Sequence, residues 1–301
     1  MTINLTNKIS NSYTCFTVSI DHEIAHIILN RPEKRNSMNV EFWDELPAIV
    51  ADIDNRSLAR VIVISSTGPH FTSGLDIQAF ILNGQNSSSP EGNSEGNSEG
   101  NPDSEVVHAQ GEQFYRNVKR MQKSFSILEE CRIPVLVAIQ GGCIGGGVDL
   151  TTACDIRYAT EDAFFTIFET NIGMTADVGT FPRLAKLIPE GIVKELAYTG
   201  RRMSATEAKS VGLVNEVFLN QEALLDGVMA VAAEIAKKAP LAVYGCKRMI
   251  NYSRDHTTQD SLDYVGIWNA SMLQPAEMME AMTANAEKRD GNFTKLPPKR
   301  A

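Results

Sequence analysis

A cluster of glycines constrains this chain more than any other feature. Glycines at 141–142 and 145–147 follow the apolar run 135–139 and precede a segment, 148–153, that can form a helix. Glycine lets a backbone approach a ligand closely and adopt conformations that a Cβ forbids. The first N–H groups of a helix have no intrahelical partner, and the helix dipole there favours negative charge. The cluster therefore predicts either a tight turn after a buried strand or a cradle for an anion.

The glycine spacing does not fit the common nucleotide-binding loops. When Gly-x-Gly-x-x-Gly is aligned with 141–147, Cys143 and Ile144 occupy positions that require glycine. A P-loop is excluded as well, because no Gly-Lys-Ser/Thr follows the cluster. The formal net charge of −9 argues against a broad electrostatic surface for nucleic acid. We therefore expect no nucleic-acid partner.

Three carboxylates follow the cluster along the chain: Asp149, Glu169 and Asp177. Most side chains around Glu169 are apolar, namely Phe164, Phe165, Ile167, Phe168, Ile172 and Met174. Apolar surroundings disfavour the charged carboxylate and raise its pKa towards neutral pH, which suits a general acid or base. The alternative for any one carboxylate is a helix cap or a surface charge, and we adopt that interpretation for Asp155.

Several spaced motifs resemble the crotonase (enoyl-CoA hydratase/isomerase) family. The matching segments are HFTSGLDI at 70–77, GGCIGGGVDL at 141–150, ACDIRYA at 153–159, FETNIGMTADVGTFPRL at 168–184 and a longer segment at 252–274. Within the family, the three acids and the last segment resemble the branch that isomerises dienoyl-CoA thioesters. The resemblance extends over most of the chain.

The resemblance implies an α/β fold, a spiral of repeated ββα turns, followed by helices. We expect a crotonase-like core at 1–218 and a helical oligomerisation region at 219–301, with subunits assembled as a trimer or a hexamer. Residues 83–105 contain a repeated Glu-Gly-Asn-Ser unit and no aliphatic or aromatic residue. Such a segment buries too little apolar surface to offset the entropy of ordering, so it predicts a mobile loop. It is either a tolerated insertion or a lid over the site.

Local patterns add detail to the core. Segments 16–20 and 24–29 predict a β-hairpin. An amphipathic helix follows from Phe42 to Ile53, and Pro47 inside it predicts a kink or a late helix start. Apolar residues at helical spacing predict a second helix whose stripe packs in the core rather than on a ligand: Phe114, Val118, Met121, Phe125 and Leu128.

The resemblance also implies a role for each residue of the site. The backbone N–H groups of Leu75 and Gly146 would hold the negative charge that develops on a thioester oxygen, and losing one such donor costs about 3–4 kcal/mol in known enzymes. Glu169 is implied as the acid/base next to Cα and Asp177 as the proton-transfer group at the far end of a diene, with the reverse order left open. Asp149 is implied to tune or position Glu169.

Contacts to coenzyme A are implied at two places. Ser73, Gly74 and Asp76 belong to the motif that lies beside the adenine in relatives. Lys34 and Arg35 lie where family members often carry a basic residue facing a phosphate. Ordinary solvated charges are the equal alternative for these two.

Two other functions remain as alternatives to a dienoyl-CoA isomerase acting in the β-oxidation of unsaturated fatty acids. The resemblance implies that a hydratase carries glutamate at 149 and a small or apolar residue at 177. Aspartate at both positions favours proton transfer over addition of water. A non-catalytic acyl-CoA-binding protein is the other alternative, and the presence of all three acids argues against it.

The sequence also predicts which partners the protein has and in which compartment it lies. The cysteines and histidines form no metal-binding spacing, so we expect no metal and no cofactor besides the coenzyme A of the substrate. No run is long enough to span a bilayer, which predicts no membrane partner. Residues 1–14 are polar, with one lysine and no arginine, and the chain does not end in Ser-Lys-Leu. These features predict a cytoplasmic protein.

Overall fold

The computed structural model describes residues 7–8, 13–77 and 104–299. The predicted mobile loop at 83–105 lies outside the described residues, apart from its last two positions, which begin a helix. The strands are β1 (Asn7–Lys8), β2 (Phe16–Asp21), β3 (Ile24–Leu29), β4 (Val61–Ser66), β5 (Val135–Ile139), β6 (Gly142–Ile144), β7 (Ile156–Thr160), β8 (Phe164–Thr166), β9 (Met203–Ser204) and β10 (Glu216–Phe218). The helices are α1 (Val40–Asn55), α2 (Ser104–Glu130), α3 (Gly146–Ala153), α4 (Thr180–Leu184), α5 (Glu190–Thr199), α6 (Ala205–Ser210), α7 (Gln221–Ala236), α8 (Pro240–Ser253), α9 (Thr258–Met272) and α10 (Pro275–Glu287).

Two sheets organise the core. A seven-stranded sheet has the order β1-β2-β3-β4-β5-β7-β10, and a three-stranded sheet has the order β6-β8-β9. The predicted hairpin is confirmed, with Phe16 opposite Leu29 in an antiparallel pair. From β3 to β10 the large sheet is parallel, so the loops that follow its strands gather at one edge. This is the α/β architecture that the family resemblance implies.

Helix α1 shows how the chain accommodates Pro47. The helix begins at Val40, where the Asn39 side chain accepts the N–H of Phe42 at 3.2 Å, so the predicted late start is wrong. Proline lacks the N–H that would have bonded to the carbonyl of Trp43, one turn earlier. The buried hydroxyl of Ser124, on helix α2, donates to that carbonyl at 2.8 Å. A side chain from a neighbouring helix therefore replaces the missing backbone bond.

Helices cover both faces of the large sheet. On one face, α1 and α2 meet through Phe42, Trp43 and Phe125, with the Trp43 and Phe125 ring centroids 5.2 Å apart. On the other face, α7 places Leu224 and Val228 against the sheet. Helix α7 thus packs on the sheet although it lies beyond residue 218. Within the described residues, no helix is long and apolar enough to cross a membrane.

Candidate active site

Backbone contacts with the neighbouring segment at Met38 set the direction of the Leu75 N–H group. Met38 and Leu75 form an isolated parallel bridge. Met38 donates its N–H to Gly74 O at 2.8 Å, and Asp76 donates its N–H to Met38 O at 3.0 Å. Because successive backbone groups of an extended chain point in opposite directions, the Leu75 N–H faces away from Met38. It has no hydrogen-bond acceptor within the described part of the chain.

The N–H group of Gly146 lies next to that of Leu75. Gly146 is the first residue of α3, so its N–H has no acceptor within the helix, and the helix dipole adds positive potential there. A Cβ added at Gly146 would lie 2.9 Å from Met38 Sδ and 3.8 Å from Leu75 N. A Cβ added at Gly74 would lie 3.2 Å from Gly146 N. The N–H groups of Leu75 and Gly146 can therefore lie close together only because residues 74 and 146 are both glycine.

Glu169 follows strand β8 and begins a short 3₁₀ helix, Glu169–Ile172. The small sheet brings it beside the glycine cluster, since Gly145 N–H donates to Thr166 O at 3.0 Å. Glu169 Oε2 is buried and has no hydrogen-bond partner among the described residues. Burial raises the pKa of Glu169, and the negative charge of Asp177 raises it further. A buried carboxylate oxygen without a partner can accept a proton from a bound molecule.

Asp177 lies in the loop before α4. The side chain of Gln122, on helix α2, donates from Nε2 to the backbone oxygen of Asp177 at 2.7 Å. The carboxyl group is half-buried, and burial raises its pKa above the usual range. A carboxyl group in this state can hold a proton and donate it.

Asp149 is buried on helix α3, with 1% of its surface exposed. Its Oδ1 accepts the N–H of Thr180 at 2.6 Å, at the first residue of α4. Burial and the charge of Glu169 raise the pKa of Asp149 to about 7, although the Thr180 contacts lower it. Asp149 thus connects the helix that carries Gly146 to the loop that carries Asp177.

One pocket, here called the central pocket, brings these groups together. Its volume is about 670 Å³ when the adjoining space open to solvent is included, and its lining includes Leu75, Gly146, Asp149, Glu169 and Asp177. Apolar side chains form most of the remaining wall: Trp43, Ile77, Phe114, Met121, Ile144, Phe168, Ile172, Met174 and Val178. Such a pocket suits an apolar chain with a polar, reactive end.

Two of these wall residues were assigned differently from sequence. We predicted that Phe114 and Met121 pack in the core and contact no ligand. Phe114 is 47% exposed, so its placement in the core was wrong. Met121 is buried, but it also lines the central pocket. Helical periodicity identifies the inward face of α2, and a pocket lined by that face gives the same pattern as a core.

The structure places the predicted coenzyme A contacts in different surroundings. Ser73 lines the pocket, and Asp76 Oδ2 accepts from Ser37 Oγ at 3.1 Å. Lys34 and Arg35 are exposed, at the end of the 3₁₀ helix Pro32–Lys34. In the described ranges, no group of three or more His, Cys, Asp or Glu side chains could hold a metal ion.

A family model and known proteins match this chain over most of its length. The family model described as enoyl-CoA hydratase/isomerase matches residues 19–99 and 98–296. The chain belongs to the enoyl-CoA hydratase/isomerase family. A solved structure of an enoyl-CoA hydratase from Bacillus anthracis shares this family's fold, with a TM-score of 0.78 and 28% identity over 94% of this chain and all of that one (100%).

Two relatives in the enoyl-CoA hydratase/isomerase family resemble the chain more strongly. The mitochondrial delta(3,5)-delta(2,4)-dienoyl-CoA isomerase of Mus musculus is 43% identical over 289 residues, which cover 92% of this chain and 82% of that protein. The peroxisomal delta(3,5)-delta(2,4)-dienoyl-CoA isomerase of Arabidopsis thaliana is 41% identical over 276 residues, which cover 92% of this chain and 94% of that protein. The resemblance to this branch of the family is confirmed.

The same relatives correct the predicted compartment. The mouse protein is mitochondrial and the Arabidopsis protein is peroxisomal, so the prediction of a cytoplasmic protein was wrong. That prediction rested on short terminal segments, whereas the family resemblance is carried by the catalytic core.

Proposed function

We propose that this protein isomerises 3,5-dienoyl-CoA to 2,4-dienoyl-CoA, as the names of its mouse and Arabidopsis relatives state for those proteins. One observation carries the proposal. Two carboxyl groups with raised pKa values, Glu169 and Asp177, line one largely apolar pocket. The same pocket contains two neighbouring backbone N–H groups that have no acceptor among the described residues. The reaction belongs to fatty acid metabolism, in which such dienes arise from unsaturated chains.

The paired N–H groups of Leu75 and Gly146 act as an oxyanion hole. Removing a proton from C2 of a thioester places negative charge on the carbonyl oxygen. Two fixed donors in a pocket with little water stabilise that charge without reorganising. The position of Gly146 at a helix N-terminus adds to the effect.

The two carboxyl groups move the protons. Glu169, ionised, takes a proton from C2, and the electrons shift along the conjugated system from C2 towards C6. Asp177, protonated, donates its proton to C6. The two double bonds thereby move from the 3,5 to the 2,4 positions, in conjugation with the carbonyl. The chemistry needs one carboxyl group charged and the other neutral, and mutual repulsion disfavours the state in which both are ionised.

Asp149 tunes Glu169 and supports the loop that carries Asp177. Its charge, when present, repels Glu169, and its Oδ1 holds the N-terminus of α4 next to the Asp177 loop. Asp149 also lines the central pocket, although only 1% of its surface is exposed.

The rest of the thioester extends in two directions. The apolar wall with Trp43, Phe114 and Met121 holds the acyl chain. Ser73, Gly74 and Asp76 contact the coenzyme A moiety, and Lys34 and Arg35 either face a phosphate or remain solvated. Coenzyme A is part of the substrate, and the reaction uses no other cofactor and no metal.

The test compares two substrates with the same enzyme. With a 3,5-dienoyl-CoA, we expect rapid growth of the ultraviolet band of the conjugated 2,4-dienoyl thioester and no increase in mass. With a 2-enoyl-CoA, we expect little addition of water. Rapid hydration of the 2-enoyl-CoA together with inactivity towards the diene would move the protein to the hydratases. Tight binding without turnover of either thioester would indicate a non-catalytic acyl-CoA-binding protein.

A further inference from the structure

A second cavity lies behind the catalytic loop, and Asp177 separates it from the central pocket. This rear cavity has a volume of about 850 Å³ and opens to solvent, and Asp177 and Val178 line both spaces. Its remaining walls are mostly polar: Gln122, Ser126, Glu129, Arg183 and Lys186 are among them. A cavity of this size with several polar partners holds water.

The proposed function creates a need for such a space, and the inference rests on that function. Each turnover begins with Glu169 ionised and Asp177 protonated. After the reaction, Glu169 carries the proton from C2 and is neutral, whereas Asp177 has given its proton to C6 and is ionised. A second turnover requires that Glu169 lose one proton and Asp177 gain one. No electrons are exchanged in this reset, only protons.

The central pocket is a poor route for the proton that Asp177 needs. Its wall is mainly apolar, and in the proposed function the acyl chain occupies this pocket during the reaction. The rear cavity, by contrast, gives Asp177 polar surroundings on the side away from the substrate. We propose that the rear cavity is a water channel through which Asp177 recovers its proton from solvent, while Glu169 releases its proton separately.

The walls of the rear cavity are held in place by polar contacts. Arg183 donates from Nε to Glu129 Oε2 at 2.7 Å and from Nη2 to Ser126 Oγ at 3.0 Å. Gln122, one turn before Ser126 on helix α2, holds the backbone oxygen of Asp177. The channel therefore has a fixed shape, with the Asp177 loop as its inner end.

An isotope experiment distinguishes solvent return from internal return. The wild-type enzyme converts a large excess of a 3,5-dienoyl-CoA that carries two deuterium atoms at C2, in ordinary water. The product is analysed by mass spectrometry at low conversion, after many turnovers of each active site. We expect one deuterium in the product, at C2, and hydrogen from water at C6. A product that carries the second deuterium at C6 would overturn the inference, because Glu169 would then return its proton directly to Asp177.

Substitutions at Ser126 test whether the rear cavity is the route. Ser126→Met fills the cavity, while Ser126→Ala removes the same hydroxyl contacts and leaves the cavity open. We expect Ser126→Met to turn over several-fold more slowly and to give more doubly labelled product, and Ser126→Ala to give the wild-type label distribution. Equal labels and equal turnover in both variants would overturn the route.

The outcome also separates this inference from the proposed function. Growth of the 2,4-dienoyl ultraviolet band reports the isomerisation itself, whatever the isotope pattern. Failure of the proposed function appears as no product. Failure of the water channel appears as product with the wrong label, or as product with equal labels and equal turnover in both Ser126 variants.

Discussion

At the scale of single residues, the site depends on backbone groups that lie close together. The N–H groups of Leu75 and Gly146 come from distant parts of the chain and converge because Gly74 and Gly146 lack a Cβ. The carboxyl groups depend on burial, which raises the pKa values of Glu169 and Asp177. In the proposed mechanism, the backbone supplies charge stabilisation, and the side chains supply proton transfer.

Gly146→Ala should reduce kcat by about 100- to 1,000-fold, the effect of losing one oxyanion donor. The added methyl group would meet Met38 Sδ at 2.9 Å and push the N–H of residue 146 away from that of Leu75. Steady-state kinetics on a 3,5-dienoyl-CoA measure the loss. Gly191→Ala is the matched control, because a Cβ there meets nothing within 4 Å. Near-normal turnover by Gly146→Ala would argue against the paired N–H groups.

Asp149→Asn should stabilise the folded protein at pH 8. Burial raises the pKa of Asp149 from 3.8 to about 7, so the folded state binds this proton more tightly than the unfolded chain does. That contribution is fully present below pH 3.8 and is lost as the pH rises to about 7, a cost of up to about 4 kcal/mol. Asparagine does not titrate and can still accept the N–H of Thr180.

Urea unfolding at two pH values measures this effect. We expect Asp149→Asn to gain stability over the wild type at pH 8 and to gain little at pH 4. Asp226→Asn, at an exposed position, serves as the control and should change neither value much. A lower stability of Asp149→Asn at pH 8 would show that the ionised carboxylate is favoured in the fold.

At the scale of helices and strands, short-range contacts decide which elements hold the site. Helix α2 contributes Phe114 and Met121 to the central pocket, Gln122 to the Asp177 loop and Ser124 to helix α1. The end of α2 is tied to α8 by the buried Lys247. Its Nζ donates to Leu128 O at 2.7 Å and to Ile133 O at 3.0 Å, and lies 2.9 Å from Asp155 Oδ2.

Lys247→Met should destabilise the protein by about 3–5 kcal/mol, because it leaves Asp155 and two carbonyl groups without their buried cation. Within the described part of the chain, the Asp155 carboxylate would keep the hydrogen bond that it accepts from the N–H of Val135. Thermal or urea unfolding measures the loss, and Lys238→Met, at an exposed position, is the control. Equal stability of the two variants would contradict a structural role for Lys247.

Many of the helices and strands could be predicted from the sequence, and the exceptions have physical reasons. Alternating and helical apolar patterns report which face of an element is buried, so the hairpin and helix α2 were predictable. The way helix α1 accommodates Pro47 was not predictable, because the hydroxyl that replaces the missing hydrogen bond belongs to Ser124, far along the chain. The direction of the Leu75 N–H could not be predicted from a sequence pattern either, because it depends on a bridge to Met38.

At the scale of the whole molecule, the C-terminal helices present unusual amounts of apolar surface. Exposed side chains on α8, α9 and α10 include Ile250, Leu262, Ile267, Met279 and Met282, each more than 60% exposed. Contiguous exposed apolar surface on a monomer is typical of an interface. This surface supports the prediction that subunits assemble as a trimer or a hexamer, which remains a prediction.

Light scattering after size-exclusion chromatography measures the assembly directly. We expect three or six times the mass of the 33.0 kDa chain. Met279→Glu combined with Met282→Glu places charges in the apolar surface and should shift the mass towards the monomer. Glu222→Gln, on exposed surface of α7, is a control that should leave the assembly unchanged. A wild-type protein that elutes as a monomer would contradict the prediction.

The measurement that tests the central claim most directly compares Glu169→Gln with Asp177→Asn in deuterated water. Both variants should lose nearly all isomerisation of a 3,5-dienoyl-CoA without unfolding. Asp177→Asn keeps the base at C2, so it should still exchange deuterium into C2, whereas Glu169→Gln should not. If the exchange appears in the opposite variant, the two acids serve the opposite carbons. Full isomerase activity in Asp177→Asn would contradict the two-carboxylate shuttle.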